Sequence, residues 1–123
     1  MSKIVRDDGF HADDFTGAPV VLPSDTDPAQ LAALTQGAEL VICEFPSFAD
    51  GRGFTLGRRL RDLGFAGRLR ARGHVIADQY AMARRSGFDE VEISDELATR
   101  QPQDQWVFRA DWQEHSYRRR LMG

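Results

Sequence analysis

Apolar residues occur in short runs whose period changes from one stretch to the next. Leu40-Val41-Ile42-Cys43 is continuous, as expected of a strand covered on both faces in a parallel sheet. Leu56, Leu60 and Leu63 recur at i, i+4 and i+7, which is one face of a helix. In GRLRARG the pattern alternates, with Leu69 and Ala71 on one side and Arg68, Arg70 and Arg72 on the other. Ile76, Tyr80 and Ala83 restore the helical period, and EVEIS (residues 90–94) predicts a further strand.

Turn and cap residues extend this reading upstream. Asp8-Gly9 lies between short apolar pieces, a strong hairpin signal because glycine tolerates the positive φ of a primed turn. PVVLP (residues 19–23) predicts a short strand bounded by prolines. In DPAQLAALTQG, Asp27 is an N-cap, Pro28 fits the first helical position, Gln30 completes a capping-box-like pattern and Gly37 suits the C-terminal cap. Gly64 and Gly87 close the next two helices, 27 and 23 residues apart from cap to cap. Phe65 and Phe88, directly after those caps, are candidate core residues. DELATRQPQD reads as a turn of helix and a loop, and the tryptophan-bearing C-terminal stretch fits a strand or a helix equally.

The elements sum to β-α-β-α-β-α-β. The predicted fold class is α/β: a small, mostly parallel sheet of about four strands with helices between them, preceded by an N-terminal hairpin. The chain reads as one domain, with a hairpin at 1–17, a core at 18–98 and a C-terminal segment at 99–123.

Charge sharpens the picture. The formal net charge is −3, but residues 1–50 balance at −7, residues 51–90 at +5 and residues 91–123 at −1. An acidic chain with one arginine-rich segment suggests a local anion site or docking face rather than a general polyanion binder. Nucleic acid is not expected, because that segment lacks interleaved stacking aromatics. No apolar run approaches the roughly 20 residues of a membrane span, and the acidic N-terminus lacks a signal core. The single cysteine, Cys43, rules out an internal disulfide and reads as a core thiol. A cytoplasmic location is expected.

The stretch EFPSFADGRGF (Glu44–Phe54) leaves the carboxyl end of its predicted strand, where open α/β sheets bind ligands. Arg72-Gly73-His74 leaves the neighbouring strand. Candidate anion-binding or docking residues are Asp50, Gly51, Arg52, Gly53, Arg70, Arg72, Gly73, His74 and Asp78. Arg58, Arg59 and Arg61 form a candidate basic face. The bland alternative makes Asp50 a helix cap, pairs Arg52 with Glu44 and leaves the strand arginines on a face open to solvent or under the C-terminal segment. No dinucleotide fingerprint, Walker A motif or nucleophile elbow is present, and a receiver-like domain lacks its strand-end lysine, since Lys3 is the sole lysine. His11, His74 and His115 lack metal-ligand spacing. No cofactor or metal is predicted, and catalytic residues are not assigned.

From Leu40 to Val91 the chain resembles a bacterial family described as domain of unknown function 934. The resemblance rests on Glu44, Phe45, Pro46, Phe48, Asp50, Gly51, Arg52, Phe54 and Thr55. It continues through Leu69, Arg70, Ala71, Gly73, Val75, Asp78, Gln79, Arg85, Gly87, Phe88 and Asp89. Two positions depart from the family pattern: His74 replaces an aspartate and Ser86 a cysteine. Family members are usually encoded beside assimilatory sulfite reductase and labelled oxidoreductases of that pathway for that reason. The resemblance therefore implies a pathway and not a mechanism.

Three readings follow. The first is an accessory protein of sulfite reduction and cysteine biosynthesis, docking on the reductase or its electron donor through Arg52, Arg58, Arg59, Arg61 and Arg72. The second is a small enzyme or sensor binding an oxyanion or nucleotide metabolite over Asp50, Arg52, Arg70, His74 and Asp78. The third is a degenerate fold kept for homodimerisation through an exposed sheet face.

Overall fold

A computed structural model describes residues 2–110. Its sheet has six strands: β1 (Ser2–Arg6), β2 (Gly9–His11), β3 (Val20–Leu22), β4 (Leu40–Phe45), β5 (Arg68–Gly73) and β6 (Glu90–Ser94), in the order β2-β1-β6-β5-β4-β3. The four strands β3 to β6 are parallel and adjacent in chain order. The N-terminal hairpin forms as expected, but it is part of the same sheet: β1 pairs antiparallel with β6. Without β1, one edge of β6 would carry unpaired backbone groups. Ile4 and Val5, consecutive and both fully buried, mark β1 as an interior strand.

Three helical connections join the parallel strands. A 3-10 turn at Pro28–Gln30 runs into the single turn α1 (Leu31–Leu34); α2 spans Arg52–Asp62; a second 3-10 turn at Ala77–Gln79 precedes α3 (Tyr80–Arg85). The first is shorter than the pattern predicted. Asp27 caps it, but through the Ala29 N–H, and the Thr35 hydroxyl donates to the Leu31 carbonyl at 2.7 Å as the helix ends. His74 lies in the loop between β5 and the second 3-10 turn. Two short helices follow β6: α4 (Asp95–Arg100) and α5 (Gln103–Phe108). The undecided C-terminal segment is thus helical as far as Phe108; residues 111–123, with Trp112 and His115, lie outside the described residues. No helix among the described residues is long and apolar enough to cross a membrane.

Right-handed crossovers between strands adjacent in chain order put the three connecting helices on one face, and α4 and α5 pack into the same core through Leu97, Ala98 and Trp106. The core lies there: Val41, Cys43, Phe45, Leu69, Ala71, Val91 and Ile93 of the sheet pack against Leu31, Leu56, Leu60, Tyr80, Ala83 and Trp106. Burial pushes the Cys43 thiol up to about 12, so it is a core residue and not a nucleophile at neutral pH. Phe88 is fully buried, while Phe65 only leans on the core. Leu63, placed on the core face by its spacing, is 57% exposed; the helix stops at Asp62, and Leu63 caps it.

The opposite face has no helix. It bears Ile4, Leu40 and Ile42, all buried, together with Arg70 and Glu90. Arg70 is 1% exposed; its Nε donates to Glu90 at 2.6 Å and its Nη atoms to Glu92 at 2.9 Å and Asp13 at 3.1 Å. Arg6 and Arg68 flank Glu90 and also hold Asp14. Residues 12–19 connect the β2 edge to the β3 edge, so this strap crosses the helix-free face, and Asp13 and Asp14 tie it down. The face expected to lie open to solvent or under the C-terminal segment is instead covered by the strap at 12–19 over an ionic seam.

Two outcomes are expected. Glu90→Gln leaves Arg70 short of its closest counter-charge in a buried setting and should cost about 3 kcal/mol. Urea unfolding followed by Trp106 fluorescence measures this; an unchanged midpoint would contradict it. Hydrogen bonds from Arg70, with help from the Phe15 N–H, hold the Asp13 carboxyl below its ordinary 3.8, and Arg68 and Arg6 do the same for Asp14. A carboxylate with a depressed folded pKa contributes stability above its unfolded value and loses it as pH falls below that value. Stability should thus decline as pH drops below about 4, and Asp13→Asn/Asp14→Asn should flatten the decline. Parallel pH profiles would refute the seam's role.

Candidate functional site

The Glu44–Phe54 stretch leaves the carboxyl end of β4 and is stabilised from several directions. The Phe45 ring lies 4.8 Å from Phe54 and 6.0 Å from Phe88, centroid to centroid. A Cβ at Gly53 would come within 2.5 Å of that ring, so Gly53 makes room for Phe45 rather than for a ligand. The Asp50 N–H closes a turn onto the Ser47 carbonyl, and the Gln79 side chain donates to the Phe48 carbonyl at 3.0 Å. At Gly73, φ is +117° and a Cβ would sit 2.6 Å from the Phe45 carbonyl oxygen. Only glycine lets β5 turn there while the His74 N–H donates to that same oxygen.

Within the Asp-Gly-Arg loop, Asp50 and Arg52 hold each other. The Arg52 N–H and Nε donate to Oδ1 at 3.1 and 3.0 Å, and Nη2 donates to Oδ2 at 2.7 Å. These bonds, with a smaller contribution from the Ser24 hydroxyl, hold the Asp50 carboxyl well below the usual carboxylate range. Asp50 is thus an internal anchor for Arg52. It is not the direct cap, which falls at Gly51. Arg52 is bound to Asp50 and not to Glu44, whose partner is Arg72 at 3.1 Å.

The carboxyl ends of the strands do meet at one edge, as expected. A cleft of about 320 Å³ lies there between Ser24, Glu44, Pro46, Arg72 and His74, beside one of about 240 Å³ between Phe48, His74, Ser94 and Arg100. The exposed His74 ring stands edge-on to Phe48 at 5.0 Å and borders both. The guanidiniums at this edge already have carboxylates: Arg52 has Asp50, Arg72 has Glu44 and Arg100 has Glu96. Asp78 pairs with Arg109 at 2.7 Å, away from both clefts. Arg70 does not reach the edge. It sits mid-strand opposite Ile42, inside the buried seam on the helix-free face.

The basic face divides as well. Arg61 is a structural clamp, donating to the carbonyls of Gly87, Phe65 and Gly67 at 2.8–2.9 Å and to Asp89. Those carbonyls sit where α2 and α3 end and the chain turns into strands, and they have few other partners. Arg58 and Arg59 remain exposed and, among the described residues, make no hydrogen bond or ion pair. They share the outward stripe of α2 with Thr55 and Asp62, at i, i+3, i+4 and i+7. With Met82 of α3 and Ser86, which caps that helix, they line a groove of about 670 Å³. Sequence reasoning singled out the two arginines but missed the groove. Its signal was the polar stripe at 55, 58, 59 and 62, complementary to the buried stripe Gly53, Leu56, Gly57 and Leu60.

A family model described as "Bacterial protein of unknown function (DUF934)" matches residues 19–121. No curated protein and no solved structure matches the chain. That match covers β3 through α5, including the loop, the strand-end clefts and the α2–α3 groove. The chain belongs to this bacterial family, DUF934.

Proposed function

We propose that the protein is an accessory component of assimilatory sulfite reduction, serving cysteine biosynthesis by docking on the reductase or its electron donor. The pathway is what the resemblance to the family implies, through the genes beside which its members are expected to lie. The observation that carries docking over ligand binding is the partition of the arginines. Arg52, Arg61, Arg70 and Arg72 are each held by a carboxylate, whereas Arg58 and Arg59 stand exposed and, among the described residues, without a partner. Met82 and Leu63, both at least half exposed, lie on the same two helices' ends and outer surface. Exposed cations beside accessible apolar side chains suit a polar-rimmed protein contact.

The alternative, an oxyanion or nucleotide metabolite over the Asp-Gly-Arg loop, has weaker support. An anion there would have to compete with Asp50 for Arg52 and with Glu44 for Arg72. Dimerisation through an open sheet face is weaker still, because that face is occupied by the strap and the ionic seam.

Binding to purified sulfite reductase tests the proposal. A measurable complex is expected whose affinity drops about tenfold between roughly 0.05 and 0.5 M salt. Arg58→Glu/Arg59→Glu should abolish it without changing the melting temperature. A complex insensitive to both salt and charge reversal, or no complex at all, contradicts the docking reading.

A further inference from the structure

The α2–α3 groove carries one feature that docking by charge alone does not use. Ser86 lines it and is 2% exposed, yet its Oγ has no hydrogen-bond partner. Buried polar atoms in native proteins nearly always have a partner; this Oγ is closed off from solvent in the free protein, so an acceptor meets it only when the side chains of the groove rotate, as interface side chains commonly do on binding. Half-buried Phe54 and half-exposed Met82 supply an apolar wall, and a methionine side chain adapts readily to what it meets. Arg58 and Arg59 stand at the rim and have no partner among the described residues.

We propose that this groove receives an acidic segment of a partner protein. An apolar side chain of that segment lies on Phe54 and Met82, its carboxylates meet Arg58 and Arg59, and, once the groove's side chains rotate to open the site, one of its acceptor oxygens accepts a hydrogen bond from the Ser86 hydroxyl. Consecutive helical positions are turned about 100° from each other, so two adjacent arginines serve two carboxylates better than they chelate one small anion. An inorganic anion would also leave the apolar wall uncovered. Asp62 in the same lining repels any anion close to it, which an extended segment can avoid by spacing its carboxylates onto the two arginines and a compact polyphosphate cannot. The inference rests on the docking reading for the surface used, but not for the partner's identity.

The test uses the full ¹⁵N-labelled chain and a capped peptide of alternating glutamate and leucine, with a glutamine-for-glutamate peptide as control. The glutamate peptide should shift the amides of residues 55–62 and 82–86 saturably, and the control should bind at least about tenfold more weakly. Arg58→Glu/Arg59→Glu should lose about tenfold or more in affinity. Ser86→Ala should weaken binding about fivefold while leaving the melting temperature unchanged or higher, because the hydroxyl it removes has no partner in the free protein. Ser86→Cys should behave alike, since a thiol fills the space and donates poorly. The inference is overturned if those amides do not move, if the Ser86 variants bind like the wild type, or if sulfate alone reproduces the shifts with no gain for the peptide. Peptide binding without reductase binding removes the partner proposed above and keeps the groove. Reductase binding with an unmoved groove does the reverse.

Discussion

Burying Arg70 between Glu90, Glu92 and Asp13 is the constraint from which the rest of the architecture follows. A guanidinium with 1% of its side chain exposed is tolerable only when its charge and donors are matched. Here the matching groups come from the neighbouring strand β6 and from the strap at 12–19. The helices all lie on one face because β3 to β6 follow one another in space as in sequence. The other face would otherwise stay wet. The seam closes it with ion pairs where a second helical layer would use apolar contacts, and it holds the N-terminal hairpin to the sheet through Arg6.

Satisfying arginines internally also decides where they are free to act. Arg61 caps the ends of two helices, Arg52 stiffens the Asp-Gly-Arg loop, and Arg72 pairs across to Glu44. Each draws its carboxylate from the acidic surplus of the chain. Arg58 and Arg59 fall on the outward stripe of α2, where they share the groove lining with Asp62 but make no ion pair among the described residues. Their availability is thus set by helical phase: Gly53, Leu56, Gly57 and Leu60 must face inward so that Phe45 and Phe88 can lie against the helix.

Much of this was legible in the sequence. The parallel strands, the order of the helices, the glycine caps and the hairpin could all be read from period and turn chemistry, because those signals are local. The joining of the hairpin to β6 was not, since strand pairing across ninety residues leaves no local trace beyond the consecutive burial of Ile4 and Val5. The location of the loop at the strand ends was also readable, but its electrostatics were not. Whether Arg52 meets Asp50 or Glu44, or whether Arg70 lies buried or at the edge, depends on side-chain geometry that spacing does not encode. Leu63 misled for a simpler reason: the helical period was sound, but the helix ended one residue earlier.

Arg58 and Arg59, exposed on α2 and without partners among the described residues, are the proposed docking surface of this protein in sulfite reduction. Growth of a deletion strain complemented with Arg58→Glu/Arg59→Glu, on sulfate, sulfite, sulfide or cysteine as sole sulfur source, tests it most directly. The account predicts failure on sulfate and sulfite, rescue by sulfide and cysteine, and full growth on all four with the wild-type chain. Normal growth of the double variant on sulfate and sulfite, with the protein folded and present, would contradict it.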